Sequence, residues 1–505
     1  MGADQSKLVE PTMHEKAVLE RLRTLQMEDD YVEVTSDSEK ATVGSLMREA
    51  EGLPVPVLQS WQTDILKDPK NKLALTALSG LNPRQVLTSM PTVVADQQIY
   101  NVKIPFEGAP ITNQRSSGRC WLFASTNVFR VALMKRYNLD SFELSQAYLF
   151  YWDKLEKSNW FLEQIIDTAD EDLEGRLVQT LLGDIVSDGG QWDMVYNLVD
   201  KYGVVPQALY PDSYNAMNSG VLNTIVKTKL REFALKLRAL VNSNDVTAAA
   251  LSSAKEKMLR EISLIMTLLL GPPPSPDDEF TWQYNDKDGK AQEIKITPKN
   301  FAVNTYSNDF KYATYHAISN MISLVHDPRH ETFTPLTVSR LGNIVGGRGI
   351  SYVNVDMDTL KGVCIKMLKA GLPIFFGSDV GKFSDSKSGI MDLDLFDYDL
   401  GFNTSLLGMN KAQRLMTGES QMTHAMVLTA VHVDEETGKP VRWRVQNSWG
   451  TDAGDKGWFV MSDAWMDEFV YQAVVDLRLC GKDVRQVLKK KPTVLPLWDP
   501  MGSLA

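Results

Sequence analysis

The chain has 505 residues, 43% hydrophobic and 23% charged, an ordinary globular balance with enough length for more than one core. Its formal net charge of -11 argues against a surface that attracts nucleic acid as a whole. Three cysteines, an odd number set far apart at 120, 364 and 480, argue against a disulfide framework and fit a reducing, cytoplasmic setting.

Met1-Gly2 with Ser6 matches the pattern for an N-myristoyl group on Gly2, although so short a pattern also arises by chance. No basic-then-apolar signal opens the chain. The longest apolar run, Ile262 to Leu270, is too short to span a bilayer, so no transmembrane segment is expected. Residues 1–54 are polar and acidic and read as a largely mobile extension. From Val55 the apolar residues recur at helical spacing, which places the start of ordered structure there.

The stretch NQRSSGRCWLFAS, residues 113–125, sets Cys120 immediately before the apolar run Trp121 to Met134, which ends in Lys135-Arg136. This predicts a buried helix closed by cations suited to its C-terminus. A cysteine at its first turn could be packing, or a nucleophile whose thiolate the terminal N–H groups favour. Asp188-Gly189-Gly190 is on its own a turn signal. Val226, Leu230, Phe233, Leu237 and Leu240 form one helical stripe, and Leu251, Met258, Ile262, Ile265 and Leu269 a second. Asp245 is the candidate cap for the second helix, and Gly271 followed by three prolines stops it, which together predict an inserted antiparallel hairpin. Lys227, Lys229, Arg231, Lys236 and Arg238 decorate the first of these helices. With Lys489-Lys490-Lys491 they are candidates for a weak nucleic-acid contact, against the commoner reading as a solvated face.

In the C-terminal third the period changes. THAMVLTAVHVDEETGKPVRWRVQNSWG reads as two strands around a turn, and GWFVMS and YQAVVDLRL continue the pattern. A sheet following a helical half makes the class α+β. His424 opens the first of these strands and Asn447 ends the second, so antiparallel pairing can bring an imidazole beside an amide carbonyl able to orient it. Cys364 and Cys480 read as packing. His14, His316, His326, His330 and His432 have no motif context, and no metal spacing links them.

Taken together in chain order, these segments resemble the papain-like cysteine peptidases. NQRSSGRCW is similar to that family's nucleophile segment, THAMVLTAV to its histidine strand, QNSWGTDAGDKGWFVM to its asparagine segment and DGGQWDMVYNLVDKYGVVPQALYP to its substrate-binding stretch. The spacing and the ending LPLWDPMGSLA resemble the bleomycin hydrolase and aminopeptidase C branch. Two departures stand out. Ser117-Gly118-Arg119 replaces the family's Cys-Gly-Ser or Cys-Gly-Ala, so the usual disulfide there cannot form. His424 lies 304 residues after Cys120, against about 130 to 150 in secreted members.

The resemblance implies a two-lobed papain-like catalytic domain and a cysteine-type aminopeptidase without metal or cofactor. It implies Cys120 as nucleophile, His424 as its ion-pair partner and later general acid, and Asn447 as the orienting residue, shielded by Trp449. Gln114 would serve the oxyanion, and Gly189 and Gly190 would admit an extended substrate. The expected organisation is an extension to residue 54, a helical lobe over 55–214, an inserted helical oligomerisation domain over 215–350, a β-rich lobe over 351–487 and a C-terminal arm over 488–505. In that branch the arm lies in the cleft of a homohexamer. Carried over, the Ala505 carboxylate would meet the free N-terminus of a peptide substrate. The alternatives are a nucleic-acid-binding barrel or scaffold with incidental peptidase activity, or an acyl transferase using the same thioester.

Overall fold

The computed structural model describes residues 52–243, 246–303 and 318–504. The chain divides into two compact units, 1–73 and 74–505. The described part of the first carries the helix Val55–Ile65, with a proline in its opening turn, where an absent N–H costs nothing. Helix thus begins at Val55, as the apolar spacing predicts. The expected extension over most of 1–54, Gly2, Asp245 and Ala505 lie outside the described residues.

In the second unit the helix Cys120–Arg136 is the centre of the helical part. Every residue from Cys120 to Met134 is buried, which is why its sequence is apolar on all sides and not striped. The helices Gln146–Asp167 and Trp192–Tyr202 pack on it, and the strand His424–Val433 covers it from the sheet side. Ser145 caps Gln146–Asp167 by accepting the Tyr148 N–H at 3.1 Å.

The two striped helices form over Gly220–Val241 and Ala248–Leu270 and pack on Gln146–Asp167. The first buries Val226, Leu230, Phe233 and Leu237 as expected. The second buries Met258, Ile262, Met266 and Leu270, so its face leaves the predicted stripe after Ile262, following an i, i+4 row. Its cap is Thr247, which accepts the Ala250 N–H at 3.2 Å. Gly271 ends it with φ +85°, a conformation that favours glycine.

Among the described residues the main sheet has twelve strands, one of which, Val102–Lys103, lies off the main row and pairs with His424–Val433. From one edge, Thr493–Leu495 is followed by Thr334–Val338, Tyr352–Asn354, Met321–Val325, Val470–Asp476, Ile374–Ser378, His424–Val433, Pro440–Gln446 and Trp458–Ser462, with two short strands beyond. Helices and this mixed sheet make the molecule α+β. The range 215–350, expected to be helical, also holds the hairpin Phe280–Asn285 and Ala291–Ile296 and two strands of the main sheet. Met321–Val325 is wholly buried, and a continuous apolar run of that length carries no period to separate strand from helix.

The basic row on Gly220–Val241 is not an open cationic face. Lys229 lies 2.8 Å from Glu232, Lys236 pairs with the same carboxylate, Arg231 donates to the Leu182 carbonyl at 3.0 Å, and buried Arg238 donates to the Thr168 carbonyl at 2.6 Å. Cys364 and Cys480 are buried and unpaired. Among the described residues no group of His, Cys, Asp and Glu is arranged to hold a metal, and no helix is long and apolar enough to cross a membrane.

Candidate active site

The sheet register builds the first half of the site. His424 opens its strand opposite Ser378 of one neighbour. The other neighbour, Pro440–Gln446, pairs Val427 with Gln446, so Asn447 leaves its strand near the start of the His424 strand, within side-chain reach of the imidazole. The His424 Nε2 atom lies 2.8 Å from Asn447 Oδ1, which makes Nε2 the protonated donor and leaves Nδ1 as the ring's free acceptor. Asn447 Oδ1 also accepts the Ser448 N–H at 2.8 Å, which fixes the amide. Trp449 lies against the imidazole with ring centroids 4.8 Å apart.

Cys120 supplies the second half. The N–H of Ala425, next to His424, acts on its sulfur as a hydrogen-bond donor, together with the N–H groups of Trp121 and Cys120 itself. The thiol and the imidazole are only 2% and 4% exposed. Burial pushes the thiol up to about 11, and those N–H groups only partly oppose it. Burial likewise pulls His424 down to about 4, with the Asn447 bond acting the other way. Burial thus opposes the charged forms of both groups, while the terminal N–H groups favour the thiolate and the Asn447 bond favours the imidazolium.

Gln114 is tied into the same frame. The Gln114 N–H donates to the Ser448 carbonyl at 2.8 Å and the Gly450 N–H to the Thr112 carbonyl at 3.0 Å, so 112–114 runs along 448–450. Ser448 Oγ donates to Gln114 Oε1 at 2.7 Å. That bond turns the amide so that Nε2 donates one hydrogen to the Ser117 carbonyl at 2.7 Å and keeps a second for another acceptor. Ser448 was not a sequence candidate; its place directly after Asn447 was the available signal.

The segment before Cys120 is held by charge. Arg119 is fully buried and makes a bidentate pair with Asp212, at 2.7 and 3.0 Å. Its Nε donates to Ser117 Oγ at 2.9 Å, and its guanidinium lies over Phe123 and Phe150. An ion pair thus anchors the chain close to where secreted papain-like enzymes carry a disulfide.

Gly189 and Gly190 are buried, and the Gly189 carbonyl accepts from Lys157 Nζ at 2.6 Å. A Cβ on Gly190 would come within 2.5 Å of the Trp121 ring. Close packing on the residue after Cys120 is thus one reason for glycine at 190. At the other end of the chain, Ser503 joins the two halves. Gln191 Nε2 donates to its carbonyl at 2.7 Å, and its hydroxyl donates to the Met422 carbonyl at 2.7 Å. Tyr352 donates to the Met501 carbonyl at 3.2 Å, and Asp499 pairs with Arg329 at 2.7 Å.

The Peptidase C1-like family model matches residues 53–502. A human protein named bleomycin hydrolase is 44% identical over 444 residues, 87% of this chain and 95% of its own length. The Saccharomyces cerevisiae protein named cysteine proteinase 1, mitochondrial, is 42% identical over 467 residues, covering 91% and 94%. The crystal structure of PepW from Lactobacillus rhamnosis superposes with a TM-score of 0.84 at 40% identity, covering 90% of this chain and 99% of that one. With helices packed on a sheet that carries His424 and Asn447, and with these relatives matched over nearly their whole length, the chain belongs to the Peptidase C1-like family and is a cysteine peptidase related to bleomycin hydrolase.

Proposed function

We propose that the chain is a cytosolic cysteine aminopeptidase of bleomycin hydrolase type, with Cys120, His424, Asn447 and Gln114 as its reacting and stabilising groups. The observation that carries this is an imidazole fixed by Asn447 at 2.8 Å on the strand that packs against the helix opened by Cys120. His424 Nδ1 takes the thiol proton as sulfur attacks the amide carbonyl, so the charges form together and not beforehand. The Cys120 N–H and the free Gln114 amide hydrogen stabilise the oxyanion. His424 then gives its proton to the leaving amine, a thioester remains, and water, deprotonated by His424, releases the acid and restores the thiol.

Selection for free N-termini would rest on the last residues. Ser503 is bonded to both Gln191 and the Met422 carbonyl, which supports an arm whose terminal carboxylate would meet the substrate there. A carboxylate there favours a substrate ammonium and disfavours an internal peptide segment, which brings no compensating charge. The organisation into extension, helical lobe, inserted oligomerisation domain, β-rich lobe and arm, the homohexamer, and a reducing compartment for three unpaired cysteines belong to the same reading. Native mass and cell fractionation check the last two.

The deciding experiment is hydrolysis of aminoacyl fluorogenic amides against their N-acetylated forms, by the full chain, by Cys120→Ala and by a chain lacking 502–505. Free amides should be cleaved by the intact chain alone, and the truncated chain should gain cleavage of blocked and internal bonds. Activity in Cys120→Ala refutes the nucleophile, and unchanged N-terminal trimming by the truncated chain refutes the arm.

A further inference from the structure

We infer that Asp188 is a positioning residue for Cys120: it clamps the chain on both sides of the sulfur and ties it to the segment 189–191 that borders the cleft. The inference rests on the proposed role of Cys120. The Asp188 Oδ2 atom accepts the Gly118 N–H at 3.1 Å, two residues before the cysteine, and the Ser219 hydroxyl at 2.5 Å. Its Oδ1 accepts the Asn223 amide at 2.9 Å and lies 2.6 Å from Lys154 Nζ. Its backbone carbonyl accepts the Trp121 indole N–H at 2.6 Å, one residue after the cysteine.

Steric contact locks the two segments as well. A Cβ on Gly118 would stand 2.8 Å from Asp188 Cβ, and one on Gly190 2.5 Å from the Trp121 ring. Neither segment can shift without the other. Behind them the helix Gln146–Asp167 presents two buried lysines one turn apart. Lys154 Nζ donates to the Val186 carbonyl at 2.6 Å. Lys157, paired with Asp153 at 2.7 Å, donates to the Ser187 and Gly189 carbonyls at 3.1 and 2.6 Å. Val186 has φ +49°, a costly conformation for a β-branched residue that persists only where its surroundings over-determine it.

Every group facing the Asp188 carboxylate is a donor, so only the ionised acid satisfies all four. Burial opposes that charge, and the Lys154 ammonium with the Ser219 and Gly118 bonds outweighs it, holding the carboxyl below the usual range. Asparagine has the same shape but turns an N–H against donors. The Asp188 charge is also felt at the Cys120 thiol, where it disfavours the thiolate; His424 lies on the strand that packs against the Cys120 helix.

The test is Asp188→Asn in the full chain, with thermal melting to confirm folding. Three quantities are read: kcat and KM on an aminoacyl amide, and the pH midpoint of Cys120 alkylation by iodoacetamide. We expect kcat to fall about a hundredfold, as for a nucleophile displaced by about 1 Å, with KM within about threefold. The alkylation midpoint should move to lower pH, because a nearby negative charge is gone. A folded variant with unchanged kcat and midpoint overturns the inference, and so does a rise in KM alone, which would make Asp188 a substrate contact. If Asp188→Asn does not fold, Ser219→Ala and Asn223→Ala carry the test. Each removes one donor and should lower kcat roughly three- to tenfold at constant KM; no effect in either overturns it. Activity surviving in Cys120→Ala would instead refute the nucleophile assignment, a separate failure.

Discussion

Replacing Arg119 by Met removes the ion pair beside the nucleophile segment while keeping an unbranched apolar stem. Breaking a buried pair from one side costs about 3 to 5 kcal/mol, mostly from the partner charge left behind. Asp212 keeps 16% of its side-chain surface in water, which puts this case at the low end. Methionine still packs on Phe123 and Phe150, and Ser117 Oγ keeps its own donation to the Gln114 carbonyl at 2.6 Å, so little is added. The expected loss is about 3 kcal/mol, read as a lower midpoint in equilibrium urea unfolding followed by tryptophan fluorescence. Arg119→Met combined with Asp212→Leu should recover stability to within about 1 kcal/mol of the parent, because no charge is then stranded. A single variant within about 1 kcal/mol of the parent, or a double variant no better than the single, would refute the reasoning.

Three further outcomes follow from distances and burial. Asn447→Ala leaves a buried imidazole N–H without its acceptor and should cost about 1 to 3 kcal/mol in the transition state, roughly a five- to hundredfold drop in kcat/KM measured on an aminoacyl amide. Gly190→Ala must push its new Cβ off the Trp121 ring and should lower stability by about 1 to 3 kcal/mol by urea unfolding, with activity reduced alongside. Burial pulls His424 and His326 down to about 4, so the unfolded chain binds more protons between that value and the ordinary 6.5. Stability is then full above pH 6.5 and falls as the pH drops through 4, by about 2 kcal/mol at pH 5 for His424 and about 1 for the less buried His326. Urea midpoints at pH 7.5 and 5 check this, and His326→Gln should show the smaller acid loss.

Much of this was legible before any coordinates. A run apolar on nearly every side after Cys120 reads as a buried helix, and two alternating segments around a Glu-Thr-Gly-Lys-Pro turn can bring His424 and Asn447 near each other. What stayed hidden depends on partners far apart in the chain. Lys154 and Lys157 sit in YLFYWDKLEKSNWF, where each looks like the polar side of an ordinary helix; only the folded loop 186–189 supplies the carbonyls they bind. Ser117 was visible in the place of a missing cysteine, but Arg119 was not visible as half of a pair with Asp212. The two influences on the Cys120 thiol differ in the same way: position at a helix start is local, whereas desolvation comes from the sheet that closes over it.

One continuous chain of hydrogen bonds links His424 to Asn447, Asn447 to Ser448, Ser448 to Gln114 and Gln114 to Ser117. The group that aims the base and the group that would receive the developing negative oxygen are therefore parts of a single rigid frame. Substitutions at Asn447 and Gln114 will not add, because each loosens the same joint, and Ser448, bonded to both, sets how well the two stay aligned.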